Sequence, residues 1–294
     1  MENRKGEMVS RTRLIGLDLF RIISMAIILM FHSSIHYGCY YGVLDEFVKA
    51  GAVMMTGFFM LSGYSLWYVY GGKDFFNTNK IRRFWLKRII SIFPKYYVGG
   101  IIYIIFIGKE NLAQNILLMP MELLGLQSLY PNTFNLTHNG GTWFVSCILI
   151  CYMIFPFLTW ILEQLSPKGR LLSIGVCAGI LLYSPILVNG IPIGSIYSNP
   201  FLRLLEFAIG MELASLQGEF QRNRIMKTLF LKKGMIVVEA IFAIVAVTFC
   251  MKRGIGCGDY MLYSWIVLPV FILMFPALGN FVGGVESSCN HLFV

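Results

Sequence analysis

Apolar runs of about twenty residues, separated by short polar or basic segments, recur along the whole chain. Each run matches the length that a helix needs to cross a bilayer. Candidate spans fall at about 14–37, 46–70, 89–108, 142–162, 171–189, 200–217, 234–251 and 260–279. The stretch 112–130 is apolar too, but it contains Pro120 and Glu122, so it reads as an interfacial or re-entrant piece. The first run is too long for the core of a signal peptide, and Asp18 and Arg21 interrupt it, so it counts as a true span. The pattern predicts an all-α, polytopic membrane protein of about eight transmembrane helices. Residues 1–294 form a single membrane-embedded domain with no repeat and no low-complexity tract.

Composition agrees with that reading. AVILMFWYC residues make up 57% of the chain and DEKR only 13%, about half the charge of an ordinary soluble domain. This excludes a soluble enzyme, a coiled coil and a disordered chain. The net charge of +9 does not point to nucleic acid, because the bases sit between apolar runs. Seventeen Lys and Arg residues fall in the N-terminal segment and alternate loops, against three in the opposite loops. The positive-inside rule therefore places the N-terminus in the cytoplasm.

The seven cysteines form no CxxC pair. Cys147 and Cys151 read as packing residues, and Cys39 and Cys257 both fall on the outer side. Asn135-Leu-Thr137 is a glycosylation sequon that matters only in a eukaryotic secretory pathway. No glycine-rich phosphate loop and no metal-ligand cluster is present in the sequence, so kinase, NTPase and metallohydrolase chemistry lack their parts.

Ionisable residues inside spans are functional candidates by default. Asp18, Arg21 and His32 lie on the first span. Eleven residues at about 100° each bring Arg21 and His32 onto one face, about 16 Å apart along the axis. Asp18 is placed to neutralise Arg21, and His36 extends the face outward, so a buried polar stripe is expected. A hydrogen-bond ladder that only holds helices together would use the same residues. Arg203 and Glu206 repeat the theme in the outer half of the sixth span, where they can also simply pair with each other. Trp143 opens the fourth span, a common place for an interfacial anchor. Gly57 and Ser62-Gly63 on the second span read as close-packing positions. The basic stretch Lys80-Ile-Arg-Arg-Phe-Trp-Leu-Lys-Arg88, with Arg82, Arg83 and Arg88, reads as a cytoplasmic loop. It suits an anchor on anionic lipid or a clamp for a polyphosphate ligand.

Several of these segments occur together in a known family. Gly-Leu-Asp18-Leu-Phe-Arg21 with His32, Gly57-Phe-Phe-Met-Leu-Ser-Gly-Tyr64, and Arg88-Ile-Ile-Ser-Ile-Phe-Pro94-Lys-Tyr-Tyr97 appear in order. Thr142-Trp-Phe-Val-Ser146 with Tyr152 and Pro156, and Pro200-Phe-Leu-Arg203-Leu-Leu-Glu206-Phe with Gly210, follow. Together they resemble membrane acyltransferase family 3. The resemblance implies transfer of an acyl group, commonly acetyl, from cytoplasmic acyl-coenzyme A to a hydroxyl of an extracytoplasmic glycan, with the enzyme in the cell membrane. It implies acetyl-coenzyme A as donor substrate and no bound cofactor or metal. Arg21 and His32 become functional residues by the same resemblance. On this reading His32 is the base or acyl carrier, supported by Glu206 and Asp18. Arg21, Arg82, Arg83, Arg88, Arg203 and Trp143 bind substrate.

Two departures accompany the resemblance. The family's Arg-x-x-Arg is here Arg88 followed by Ser91, which leaves Arg82, Arg83 or Lys87 to substitute. The chain also ends after about eight spans, at Cys289-Asn-His-Leu-Phe-Val294, where the family tends to have about ten, so a C-terminally short relative is expected. A transporter or flippase of a glycan precursor, and an inactive relative acting as a membrane partner, are the competing classes.

Overall fold

A computed structural model describes residues 13–72, 77–106, 112–129, 140–190, 196–255 and 260–283. Arg4, Lys5, Arg11, Lys73, Lys109, Cys257, the Asn135 sequon and the segment Cys289–Val294 lie outside the described residues. The described chain is helical: α1 Ile15–Tyr37, α2 Asp45–Lys49, α3 Met54–Tyr70, α4 Thr78–Phe106, α5 Leu112–Leu124 and α6 Trp143–Gln164 come first. They are followed by α7 Pro167–Gly190, α8 Pro200–Ser215, α9 Gln217–Arg222, α10 Arg224–Phe230, α11 Lys233–Arg253 and α12 Leu268–Gly279, the last entered through a π-helical turn at Leu262–Val267.

Local chemistry sets the ends. Gly38, at φ +66°, closes α1 by donating its N–H to the Ser33 and Ser34 carbonyls, the left-handed stop that favours glycine. Asn199-Pro200 starts α8: the Asn199 side chain accepts from the N–H groups of Phe201 and Leu202, and Pro200 occupies the first turn. On the outer side Lys49 bonds Asp45 at 2.8 Å. That ammonium, helped by the Tyr41 N–H, holds the Asp45 carboxyl below its ordinary range.

Among the described residues seven helices are long and apolar enough to cross a bilayer. The eighth expected span, α8, has only 16 residues. Its place among the crossings follows from the chain ends. Arg13–Leu14 pairs antiparallel with Val282–Gly283, so the start of α1 and the end of α12 share one side of the membrane. That requires an even number of crossings, and α8 supplies the missing one. It can be short because it is enclosed: every residue from Phe207 to Leu213 is buried, and other helices surround it instead of lipid.

Two expected boundaries are corrected. The span at 46–70 breaks into α2, a 3-10 turn at Gly51–Val53 and α3. Gly51 lies against the Phe31 side chain and the Ile27 carbonyl of α1, and the chain bends at this close approach. The basic stretch is not a loop from 78 onward. Thr78–Arg88 forms the first three turns of α4, a helix of 29 residues. No glycine or proline interrupts it before Pro94, and at about 1.5 Å per residue it outruns the roughly 30 Å hydrocarbon layer. Its basic turns therefore stand outside the apolar zone. The piece expected at 112–130 forms α5, 13 residues long and too short to cross. Tyr96 and Tyr97 of α4 tie it down by donating to the carbonyls of Glu122 and Leu123, each at 2.7 Å.

The centre of the bundle is the α3–α8 pair, the most extensive helix contact in the molecule. A β-carbon at Gly63 would overlap the Phe207 carbonyl, and one at Gly210 would overlap the Met60 carbonyl. Small residues thus let two backbones touch, as in other membrane helix pairs. Cys147 and Cys151 are fully buried beside this pair, as packing residues.

The orientation is open to direct measurement. With native cysteines removed, single cysteines at Lys80 and Tyr40 should label with membrane-impermeant maleimide from the cytoplasmic and outer sides respectively. Labelling of position 80 from outside would reverse the topology.

Candidate active site

Helix α1 buries Gly16, Leu17, Phe20 and Ser24, and this choice of face decides where its ionisable residues go. Phe20 packs edge-on against Phe271 and Phe275 of α12, with ring centroids at 5.2 and 5.0 Å. The apolar arc is what the bundle can absorb, so the polar stripe is turned to the flank. Arg21, His32 and His36 are exposed and Asp18 is half-buried, which corrects the expectation of a buried stripe. At its cytoplasmic end Asp18 accepts from Arg13 at 2.6 Å and from Arg21 at 3.0 Å. Nearer the outer end the His32 and His36 rings lie parallel, 5.8 Å apart, with Phe31 edge-on to His32. Among the described residues neither imidazole has a hydrogen-bond partner, so His32 forms no interhelical ladder.

Opposite the cytoplasmic end of that flank, Arg88 is held by aromatic rings. Its guanidinium lies 5.9 Å from the centroid of Tyr70, 5.3 Å from Phe84 and 5.5 Å from Tyr152. Its Nε is buried without a hydrogen-bond partner. Phe84 is on the same face of α4, four residues earlier, and Trp85 fixes the helix by donating its ring N–H to the Tyr152 carbonyl at 3.2 Å. Cation–π stacking holds the charge in place without consuming its donors. Arg82, Arg83 and Lys87 are exposed and stand on other faces of α4 than Arg88. Arg21 of α1 lies within electrostatic range of the Tyr152 hydroxyl, on the residue whose ring Arg88 covers.

Arg203, Glu206 and Trp143 form a separate, closed box in the outer half. Arg203 is 2% exposed, and its Nη1 bonds both Glu206 oxygens at 2.8 and 2.7 Å. Its Nε donates to the Tyr197 carbonyl at 3.0 Å. Thr56 of α3 donates to Glu206 at 2.8 Å, so the pair ties α8 to α3. Four rings wall in the guanidinium: Phe59, Trp143 and Tyr197 at 5.5 Å each, and Tyr263 at 5.7 Å. Trp143 is 4% exposed; it is a wall of this box and not an interfacial anchor. Glu206 is engaged by Arg203 and Thr56 and not by His32. The Tyr197 hydroxyl, in the segment that leads into α8, is pushed up to about 12, mainly by burial, and stays neutral.

Neither the full set of rings around the two arginines nor the role of Thr56 is visible in the sequence. Only Phe84, four residues before Arg88, and Tyr197, six before Arg203, carried a local signal. The other rings reach their arginines from different helices.

These features define a multi-pass helical membrane protein with two ordered arginine centres and an open histidine flank. The chain belongs to acyltransferase family 3, whose acyltransferase domain matches residues 14–287. It is thus a member of a family of acyl-transferring membrane enzymes. It is similar to acyltransferase MdmB of Streptomyces mycarofaciens, with 29% identity over 185 residues, covering 56% of this chain and 46% of the relative. The match therefore spans about half of that relative's length. No solved structure matches the chain.

Proposed function

We propose that the protein is an O-acyltransferase of the bacterial cell membrane. It takes an acyl group, acetyl in the first instance, from cytoplasmic acyl-coenzyme A. It places the group on a hydroxyl of a cell-surface glycan or its lipid-linked precursor. The observation that supports this most is the pairing of a ring-held arginine at the cytoplasmic end, its Nε buried and unpartnered, with an unbonded imidazole towards the outer end.

In this reading the coenzyme A phosphates meet Arg88 and Arg21, whose guanidinium groups suit phosphate oxygens. Asp18 holds Arg21 in position. The pantetheine arm follows the α1 flank over the roughly 16 Å between Arg21 and His32. Neutral His32 takes the proton of the acceptor hydroxyl, whose oxygen bonds to the thioester carbonyl carbon. The carbon–sulfur bond breaks, and the proton ends on the coenzyme A sulfur. An acyl-imidazole at His32 would carry the same group in two steps. The Arg203–Glu206–Trp143 box serves as the rigid outer scaffold.

Membranes holding the protein, supplied with acetyl-labelled coenzyme A, should produce an alkali-labile ester in the glycan fraction. No label at normal protein abundance overturns the reading. Arg88→Ala should raise the apparent KM for the donor about tenfold or more, since a charge-assisted contact is worth about 1.5–3 kcal/mol. The acceptor KM should stay unchanged. An unaltered donor KM would return this arginine to a lipid-anchoring role.

A further inference from the structure

A second built feature lies on the far side of α6 from Arg88. Helices α6 and α7 each pack on α8 far more than on each other, which leaves a crevice between them with α8 as its floor. Its volume is about 130 Å³, and Leu158 and Ile161 of α6 and Leu205 and Ala208 of α8 form apolar walls. Three polar groups enter it: Ser173 and Cys177 of α7, and Glu212 of α8.

Glu212 is the anomaly. It is 2% exposed, and one carboxyl oxygen accepts from the Ser173 hydroxyl. The other, Oε2, is buried with no hydrogen-bond partner. Among the described residues no cation pairs with it. The nearest arginine along α7, Arg170, spends its Nε on the Leu162 carbonyl at 3.0 Å and its Nη1 on the Ser215 carbonyl at 3.4 Å, and it stacks over Trp67. A carboxylate in apolar surroundings is costly unless a cation or donor meets it.

We propose that this crevice holds one aminophospholipid of the cytoplasmic leaflet, with its primary ammonium on Glu212. Three observations fix the class of ligand. The crevice opens toward the membrane: its lining residue Ile161 is 46% exposed, and Leu172 and Val176, each one position before the lining residues Ser173 and Cys177 on α7, are 70% and 54% exposed, so its occupant comes from the bilayer. The volume suits a few headgroup atoms, and the acyl chains remain outside against those residues. The polar end is cytoplasmic. Glu212 is three residues from the end of α8, and Ser173 is six from the start of α7, about 5 and 9 Å from the helix termini. That is headgroup depth, with Lys168 and Arg170 just beyond, where the lipid phosphate lies. An ammonium brings N–H donors to Oε2; the trimethylammonium of a choline lipid has none, and a glycerol headgroup brings no charge to neutralise the carboxylate.

The full-length protein, in nanodiscs of phosphatidylethanolamine, phosphatidylcholine and phosphatidylglycerol in equal parts with matched chains, is released for native mass spectrometry. One ethanolamine lipid should be retained about tenfold over choline lipid, equivalent to ~1.4 kcal/mol. Glu212→Gln should abolish that preference. Leu205→Trp, which fills the crevice and leaves Glu212 in place, should do the same, and it decides the matter if the glutamine variant fails to accumulate. Equal retention of ethanolamine and choline lipids by the wild type, or a preference that survives both substitutions, overturns the proposal. Preferred retention of phosphatidylglycerol overturns it too, and would make Lys168 and Arg170 a plain anionic-lipid site.

Discussion

Replacing His32 by alanine should reduce acyl transfer by about 10²–10⁴-fold, the range that loss of a general base produces, while the protein inserts and accumulates normally. Normal accumulation is expected because the ring is exposed and makes no hydrogen bond among the described residues, so its loss opens no cavity and strands no partner. The glutamine variant separates chemistry from packing. Glutamine keeps polar donors and an acceptor but takes up no proton near neutral pH. Loss of transfer in His32→Gln at normal abundance identifies the imidazole as base or acyl carrier. Near-normal transfer in that variant would leave the proposed mechanism without its centre. Parallel measurement of His36→Gln, whose ring lies 5.8 Å away, controls for a general disturbance of the flank and should retain most activity.

The opposite signature is expected in the outer box. Arg203→Ala or Glu206→Ala removes one partner of a buried pair at 2.7 Å and leaves the other charge uncompensated, at a cost of about 3–5 kcal/mol. Either variant should show a large fall in abundance and in the melting temperature of the solubilised protein. The double variant Arg203→Met with Glu206→Leu removes both charges at similar volume, and it should recover much of the stability lost by either single change. If the single variants accumulate and melt normally yet lose transfer, the pair acts in the chemistry, as the sequence reading assigned it. Thr56→Val gives a graded check: it deletes the 2.8 Å bond to Glu206, and because Arg203 still bonds both carboxyl oxygens the loss should be only that of one hydrogen bond, about 1 kcal/mol.

How much of this was legible in the chain depends on the distance over which each feature is encoded. The spans were readable because about twenty consecutive apolar residues are a local property that no tertiary contact can alter. Loop charge is also local, and it is what predicts the orientation. The family was legible from short ordered segments such as Gly-Leu-Asp18-Leu-Phe-Arg21. The common face of Arg21 and His32 followed from helical periodicity alone, and the structure retains it.

Which way that face points was not in the sequence. Periodicity fixes angles within a helix but not the rotation of the helix in its bundle. The contacts of Phe20 with Phe271 and Phe275 set that rotation and turned the stripe outward. The same limit applies to the arginines. Arg203 and Glu206 are three residues apart and were seen as a pair, but Thr56 and the four enclosing rings come from segments up to about 150 positions away. Arg88 was placed in a loop because charge signals polarity; uninterrupted helix formers carried α4 through the basic stretch. Ser91 left the choice among Arg82, Arg83 and Lys87 open, and only the tertiary arrangement brings Arg21 within electrostatic range of Tyr152. The sequence by itself thus determined the membrane class, the family and the identity of the ionisable residues, and it predicts the topology. Tertiary structure alone decided which of them are enclosed and compensated, as Arg203 and Glu206 are, and which, like Arg88 and His32, have no charged partner among the described residues. Burial and pairing depend on helix rotation and on contacts between distant segments, and no local pattern contains either.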